Sequence, residues 1–128
     1  MSPYALLDGA FHCAVEAAQA ECLVPHLQAL PEIDGKTVFL VVGKAASQHA
    51  QIAGRCLGDI EGLCILPKGH SVETTLHVIE ASHPVPDAGS IRAAEEALTL
   101  AKSLGPDDRM VCLISGGGSA LMSAPLPG

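Results

Sequence analysis

Met110-Val111-Cys112-Leu113-Ile114-Ser115-Gly116-Gly117-Gly118-Ser119-Ala120-Leu121 is the stretch on which the reading of this chain turns. Five apolar residues run without a break into a serine and three glycines, the pattern of a buried parallel strand that opens into a loop at its carboxyl end. In open α/β sheets that end is where ligands bind. Consecutive glycines let backbone N–H groups approach a ligand with no Cβ in the way, and Ser115 and Ser119 add hydroxyls on either side. Ser115, Gly116, Gly117, Gly118 and Ser119 are therefore candidate ligands for a phosphate or carboxylate. The competing reading, a tight turn, suits one glycine better than three.

The preceding residues deliver the chain to this loop. Ser90 to Leu104 has helical periodicity, with Ile91, Ala94, Leu98, Ala101 and Leu104 on the inward stripe, Gly105 as its stop and Pro106 beyond. Upstream, Leu76 to Ala81 alternates as a strand, with Val78 and the Glu80 methylenes on one face and Ile79 on the other. It leads into Ser82-His83-Pro84-Val85-Pro86-Asp87, where two prolines stiffen the backbone and hold His83 and Asp87 in a fixed relation. His83 reads equally as a binding side chain and as a surface one. Asp87 suits the N-cap of the following helix at least as well as a ligand role.

Further back, Gly62 to Leu66 reads as a short strand and Pro67-Lys68-Gly69-His70 as a loop. Thr37-Val38-Phe39-Leu40-Val41-Val42 is the first strong strand, apolar after Thr37 and rich in β-branched residues. It passes into Gly43-Lys44-Ala45-Ala46-Ser47, and Ala46, His49, Ala50, Ala53 and Leu57 continue as a helical stripe to Gly58. Lys44 thus stands at a strand-to-helix junction, on the same side of the sheet as the glycine loop if the two strands are parallel. A helix start favours negative charge, so a lysine there is mismatched unless an anion completes the site; the alternative is a solvated lysine. His49 reads as a partly buried core histidine. Asp34-Gly35-Lys36-Thr37 imitates the end of a P-loop, but Leu30 stands where the first glycine belongs and the stretch precedes a strand instead of following one.

Tyr4 to Leu23 reads as one amphipathic helix with Leu7, Phe11, Ala14, Val15, Ala18 and Cys22 on its stripe; Pro25 and Pro31 then break regularity, and His26 in that connector reads as a solvated or capping side chain. The order strand, helix, strand, strand, helix, strand predicts a doubly wound α/β fold with a mostly parallel sheet. The chain has 128 residues, 48% of them hydrophobic, with two Phe, one Tyr and no Trp, so aliphatic side chains and alanine must pack one domain-sized core. A net charge of −7 with no basic cluster and no aromatic platform argues against nucleic acid as a partner. Five scattered cysteines without a C-x-x-C pair indicate buried free thiols, with neither a zinc site nor a disulfide framework. No leader pattern and no bilayer-length apolar run is present, so a cytoplasmic protein with no membrane partner is expected.

Three motifs in order, Val42-Gly43-Lys44-Ala45-Ala46, then Glu80-Ala81-Ser82-His83-Pro84-Val85-Pro86-Asp87, then Leu113 to Leu121, resemble the amino-terminal part of glycerate 2-kinases of the MOFRL type, a family whose members also carry the name hydroxypyruvate reductase. The likeness extends over nearly the whole chain, the leading helix and the Lys68-Gly69-His70 loop included.

The resemblance implies transfer of the γ-phosphoryl of ATP, with Mg²⁺, to the 2-hydroxyl of D-glycerate, giving 2-phosphoglycerate and ADP. It implies a Rossmann-like three-layer αβα domain, incomplete at this length, as residues 1–128 of a two-domain enzyme whose second domain is absent. Lys44 matches the family's active-site lysine, and Ser115 to Ser119 match its glycine-rich ligand-binding loop. One departure is Val41, where the family commonly has a further glycine. The family's catalytic aspartate falls beyond Gly128, so a fragment inactive alone is expected, with an exposed sheet edge that invites self-association as a homo-oligomer. Two other readings stay open: a hydroxypyruvate reductase, which would need the G-x-G-x-x-G absent after the first strand, and a non-enzymatic anion- or nucleotide-binding module.

Overall fold

The strand Thr37–Val42 (β1) is the centre of the molecule, with every residue from Val38 to Val42 buried. A run of β-branched and apolar side chains is tolerated in this way only where both faces of a sheet are covered. In the computed structural model, which describes residues 1–127, β1 lies parallel between Glu61–Pro67 (β2) and Arg109–Ile114 (β4). His77–Ala81 (β3) pairs parallel on the far side of β2, so the sheet order is β3-β2-β1-β4. This is the α/β architecture that the alternation of strands and helices predicts.

Side-chain alternation along β1 divides the core in two. Phe39 and Val41 join Cys64, Leu66 and Leu113 beneath the helices Val24–Gln28 (α2, which follows the leading helix α1, Pro3–Ala17) and Ala46–Leu57 (α3). Leu40 and Val42 join Leu63, Ile65, Ile79 and Ala81 beneath Ala88–Lys102 (α4) and the single turn Gly118–Leu121 (α5). Alanines predominate among the buried residues of the helix faces: Ala46, Ala50 and Ala53 on α3, and Ala93, Ala94 and Ala97 on α4. Small inward residues let helices lie near a sheet that has almost no aromatic side chains to fill a wider gap.

Four expectations are corrected. First, β4 is an edge strand: Leu113 alone is buried, Cys112 is exposed and Ile114 is 66% exposed. α4 packs chiefly over β3 and β2, so the apolar run of β4 is paired with β1 on one side only and remains partly bare. Second, the leading helix stops at Ala17, a short 3₁₀ turn covers Ala20–Leu23, and no residue of α1 is buried, Leu7 and Phe11 on its stripe included. Pro25, read as a breaker, opens α2 at a position where its missing N–H is harmless. Third, the inward stripe of α4 is Ser90, Ala93, Ala94 and Ala97, while Ile91 and Leu98 point outward. Fourth, Cys64 is buried and Cys56 partly so, whereas Cys13, Cys22 and Cys112 are exposed. No helix among the described residues is long and apolar enough to cross a membrane.

Candidate anion-binding site

The parallel register of β1 and β4 aligns Val42 with Ile114, so the two chains leave the sheet side by side, one as Gly43-Lys44 and the other as Ser115-Gly116. The ladder continues past the strand ends: the Ser115 N–H donates to the Val42 carbonyl at 3.0 Å, and the Lys44 N–H to the Gly116 carbonyl at 2.9 Å. Ser115 Oγ accepts from the Ala45 N–H at 3.0 Å and so caps the start of α3, whose own N-cap residue offers no side-chain oxygen. Gly43 has φ +130°, and a Cβ there would land on Ser115 Oγ. Only glycine permits both the conformation and the approach.

The glycine loop then turns through Gly117, at φ +87°, into α5. Its carbonyls are used: those of Gly117 and Gly118 accept from Ala120, Leu121 and Met122. Its amides are not: among the described residues, the N–H groups of Gly116, Gly117, Gly118 and Ser119 have no acceptor. Successive free N–H groups around a left-handed glycine form a concave nest of positive partial charge.

Two cationic or protonatable side chains close on this nest. A Cβ built on Gly117 would lie 2.7 and 2.8 Å from His83 Cδ2 and Nε2 and 3.2 Å from Lys44 Cγ; one on Gly116 would lie 3.6 Å from Lys44 Cε. Lys44 and His83 are both exposed, and among the described residues neither forms an ion pair. Ser119 is exposed on the first turn of α5 and lines a groove of about 680 Å³ with Pro86, Asp87, Ile91, Met122 and Ser123. Sequence candidates Lys44, His83 and Gly116 to Ser119 are thus brought together at one end of the sheet, while the Ser115 hydroxyl is committed to the backbone of α3.

Asp87 forms the capping box of α4 with Ser90: its carboxylate accepts from the Ser90 N–H at 3.2 Å and the Ser90 hydroxyl returns a contact to the Asp87 N–H at 3.1 Å. The same carboxylate accepts from Lys68 Nζ at 2.5 Å and Ser82 Oγ at 2.9 Å. These donors, Lys68 first and Ser82 next, hold the Asp87 carboxyl well below the usual carboxylate range. Sequence places Lys68 in a loop and Ser82 in the His83 motif, but gives neither a role. His49 is partly buried as expected; burial lowers its pKa, and its Nδ1 has no partner among the described residues.

No three His, Cys, Asp or Glu side chains cluster as a metal donor set among the described residues. Of the two carboxylates that flank His83 in sequence, Glu80 accepts from the Gly69 N–H at 3.2 Å and Asp87 is already filled by Lys68, Ser82 and Ser90. These residues do not fit a Mg²⁺ site, which asks for one or two free carboxylates.

Comparison with known proteins agrees with the α/β fold. Residues 6–128 match the family described as "Domain of unknown function (DUF4147)". Over 119 residues the chain is 40% identical to a protein of Agrobacterium vitis whose name assigns it, provisionally, as a hydroxypyruvate reductase; 90% of this chain and 27% of that one are covered. It is 40% identical over 98 residues to a glycerate 2-kinase of Pyrococcus horikoshii, covering 76% of this chain and 22% of the kinase. The crystal structure of a glycerate kinase from Thermotoga maritima superposes with a TM-score of 0.77 at 32% identity, over 97% of this chain and 31% of that one. The chain spans roughly a quarter of the length of the curated relatives it matches. With nearly its whole length inside the match, and with the resemblance to glycerate 2-kinases borne out, this chain belongs to the DUF4147 family.

Proposed function

We propose that this chain is the phosphate-binding part of an ATP-dependent kinase that phosphorylates the 2-hydroxyl of D-glycerate, forming 2-phosphoglycerate and ADP. The observation that carries this reading is the set of unused N–H groups from Gly116 to Ser119 with Lys44 and His83 beside them. Phosphoryl transfer asks a protein chiefly for positioning and for neutralisation of charge spread over phosphoryl oxygens. The nest supplies fixed donors that need no reorganisation. Lys44 supplies a full positive charge on a flexible stem, and His83 a donor when its Nε2 is protonated. The groove bordered by Ser119, which Pro86, Asp87 and Ile91 also line, has room for a small hydroxy acid.

Any Mg²⁺ would be held by phosphate oxygens and by groups other than these, so no step is routed through it. Lys44 is the residue assigned to catalysis. Gly116, Gly117, Gly118, Ser119 and His83 are assigned to the anion, and Ser115 to shaping the loop. The hydroxypyruvate reductase reading has against it the junction itself, where Val41-Val42-Gly43-Lys44-Ala45-Ala46 stands instead of the G-x-G-x-x-G of a dinucleotide site.

The test is calorimetric titration of the chain with ATP and with D-glycerate, beside an assay of glycerate-dependent ADP release on the longest native product that contains it. Saturable ATP binding lost in Lys44→Ala, and ADP release lost in the same variant, are the expected results. Undiminished affinity and turnover in Lys44→Ala would remove Lys44 from the mechanism. Oxidation of NAD(P)H with hydroxypyruvate would overturn the kinase in favour of the reductase. Binding of ATP with no turnover in any native product would leave an anion-binding module.

A further inference from the structure

The loop that carries His83 is tied down by residues outside the glycine nest. Ser82 and Asp87 flank the segment His83 to Pro86, and the Asp87 carboxylate accepts from both the Ser82 N–H, at 3.4 Å, and Ser82 Oγ, at 2.9 Å. The segment is therefore closed into a ring through one side chain. The ring is then fastened to the neighbouring connection: Lys68, immediately after β2, donates its Nζ to Asp87 Oδ2 at 2.5 Å and its N–H to the Ala81 carbonyl at 3.0 Å. One residue further on, the Gly69 N–H donates to Glu80 Oε1 at 3.2 Å. The Lys68 side chain is 59% exposed, so its charge attraction to Asp87 adds little to the stability of the fold. What the contact does is geometric: it fixes one carboxylate that has five protein donors around it, and that carboxylate sets where the His83 segment begins and ends.

We propose that Lys68 and Asp87 are positioning residues that act through Ser82 to hold the His83 ring against Gly117 and thereby complete the anion site. The proposal rests on the reading of the Gly116–Ser119 nest as a phosphate site. With either member removed the His83 loop samples other conformations, and apparent affinity falls in proportion to the competent fraction.

The experiment is ATP titration of the 128-residue chain carrying Lys68→Met, Lys68→Arg, Asp87→Asn or Lys44→Ala, with inorganic phosphate as a second probe. Asparagine remains a good N-cap, so Asp87→Asn keeps α4 capped while losing the charge that engages Lys68. A competent population reduced to a fifth gives about a fivefold rise in Kd for both Lys68→Met and Asp87→Asn, and arginine at 68 retains most of the affinity. The His83 ring-proton resonance, identified by its loss in His83→Gln, is expected to move toward the solvent-exposed position in both weakened variants while the other histidines stay in place. If the unaltered chain binds neither probe, or if Lys44→Ala binds as well as it does, the anion reading falls and the positioning role with it. If Lys44 matters but Lys68→Met and Asp87→Asn bind unchanged, only the positioning role is overturned. Weakening in Lys68→Met with tightening in Asp87→Asn would mean that Lys68 meets the anion itself, which also overturns it. Should Asp87→Asn fail to fold, Ser82→Ala, which removes one hydroxyl, must show the same weakening or the proposal fails.

Discussion

Gly117→Ala tests the site at its tightest point. Gly117 sits at φ +87°, and left-handed backbone costs a residue with a Cβ about 1–2 kcal/mol. For 128 residues the unfolding entropy is about 0.27 kcal/mol per kelvin, so that strain lowers Tm by about 4–7 °C. The new methyl would also meet the His83 ring, 2.7 Å away. His83 is exposed and free to swing outward, so the collision adds little to the stability loss but takes the imidazole off the nest. The two consequences separate in a double-mutant cycle with His83→Ala, read by thermal unfolding and by ATP titration. The stability losses are expected to add within about 0.5 kcal/mol, because the strain lies in the backbone. The affinity losses are expected to be less than additive, because either change removes the same imidazole. A Gly117→Ala chain that melts within about 1 °C of the parent would refute the conformational argument. A stability loss that disappears in the His83→Ala background would show that the collision carries it instead.

Ser115→Ala removes the acceptor of the Ala45 N–H and is expected to destabilise the fold by about 1 kcal/mol in urea unfolding; an unchanged midpoint would mean water replaces the hydroxyl at no cost. Stability is also expected to fall on acidification in two stages. His49 has a folded pKa below its unfolded value of about 6.5, so its unfolded form binds the proton more readily and stability declines as pH drops through that region. Asp87, held down first by Lys68, and Asp108, held down first by the Gly105 N–H, have folded pKa values below the unfolded value of about 3.9; their contribution is complete above it and lost as pH falls below it. Urea midpoints against pH check this, with His49→Gln flattening the upper stage and Asp108→Asn part of the lower. With a native-state thiol reagent, Cys13, Cys22 and Cys112 are expected to react and Cys64, whose pKa burial pushes up to about 11, to be spared until unfolding; early labelling of Cys64 would contradict its place in the core.

Much of the fold was legible because its signals are local. Val38 to Val42 and Met110 to Ile114 are apolar runs with glycine directly behind the first and one serine later behind the second, and glycine after an apolar strand marks the loop end of a parallel sheet whatever lies around it. The place of Lys44 at the strand-to-helix junction was legible for the same reason. What was not legible depends on partners distant in sequence. An apolar stripe on α1 says which face is apolar and nothing about what covers it, and the composition of β4 says strand without saying edge. The α4 stripe was misread because periodicity favours the larger Ile91 and Leu98, whereas close approach to the sheet selects Ser90, Ala93 and Ala97. Ser115 shows the limit in the site: a serine beside glycines reads as a ligand, and only the pairing of β4 with β1 shows its oxygen capping a helix that begins seventy residues earlier in the chain.

That separation governs when the site comes into being. β1, α3 and β2 are consecutive and can close on one another early, with Lys44 already at their rim. The nest arrives only when β4 crosses back over the β2 and β3 region to zip onto the free side of β1, a contact of high sequence separation and correspondingly slow formation. In refolding, helical circular dichroism should therefore recover before the chain regains affinity for a fluorescent nucleotide. On the proposed reading, recognition is expected to be a late event on the folding pathway, and a bound anion would act as a latch on β4.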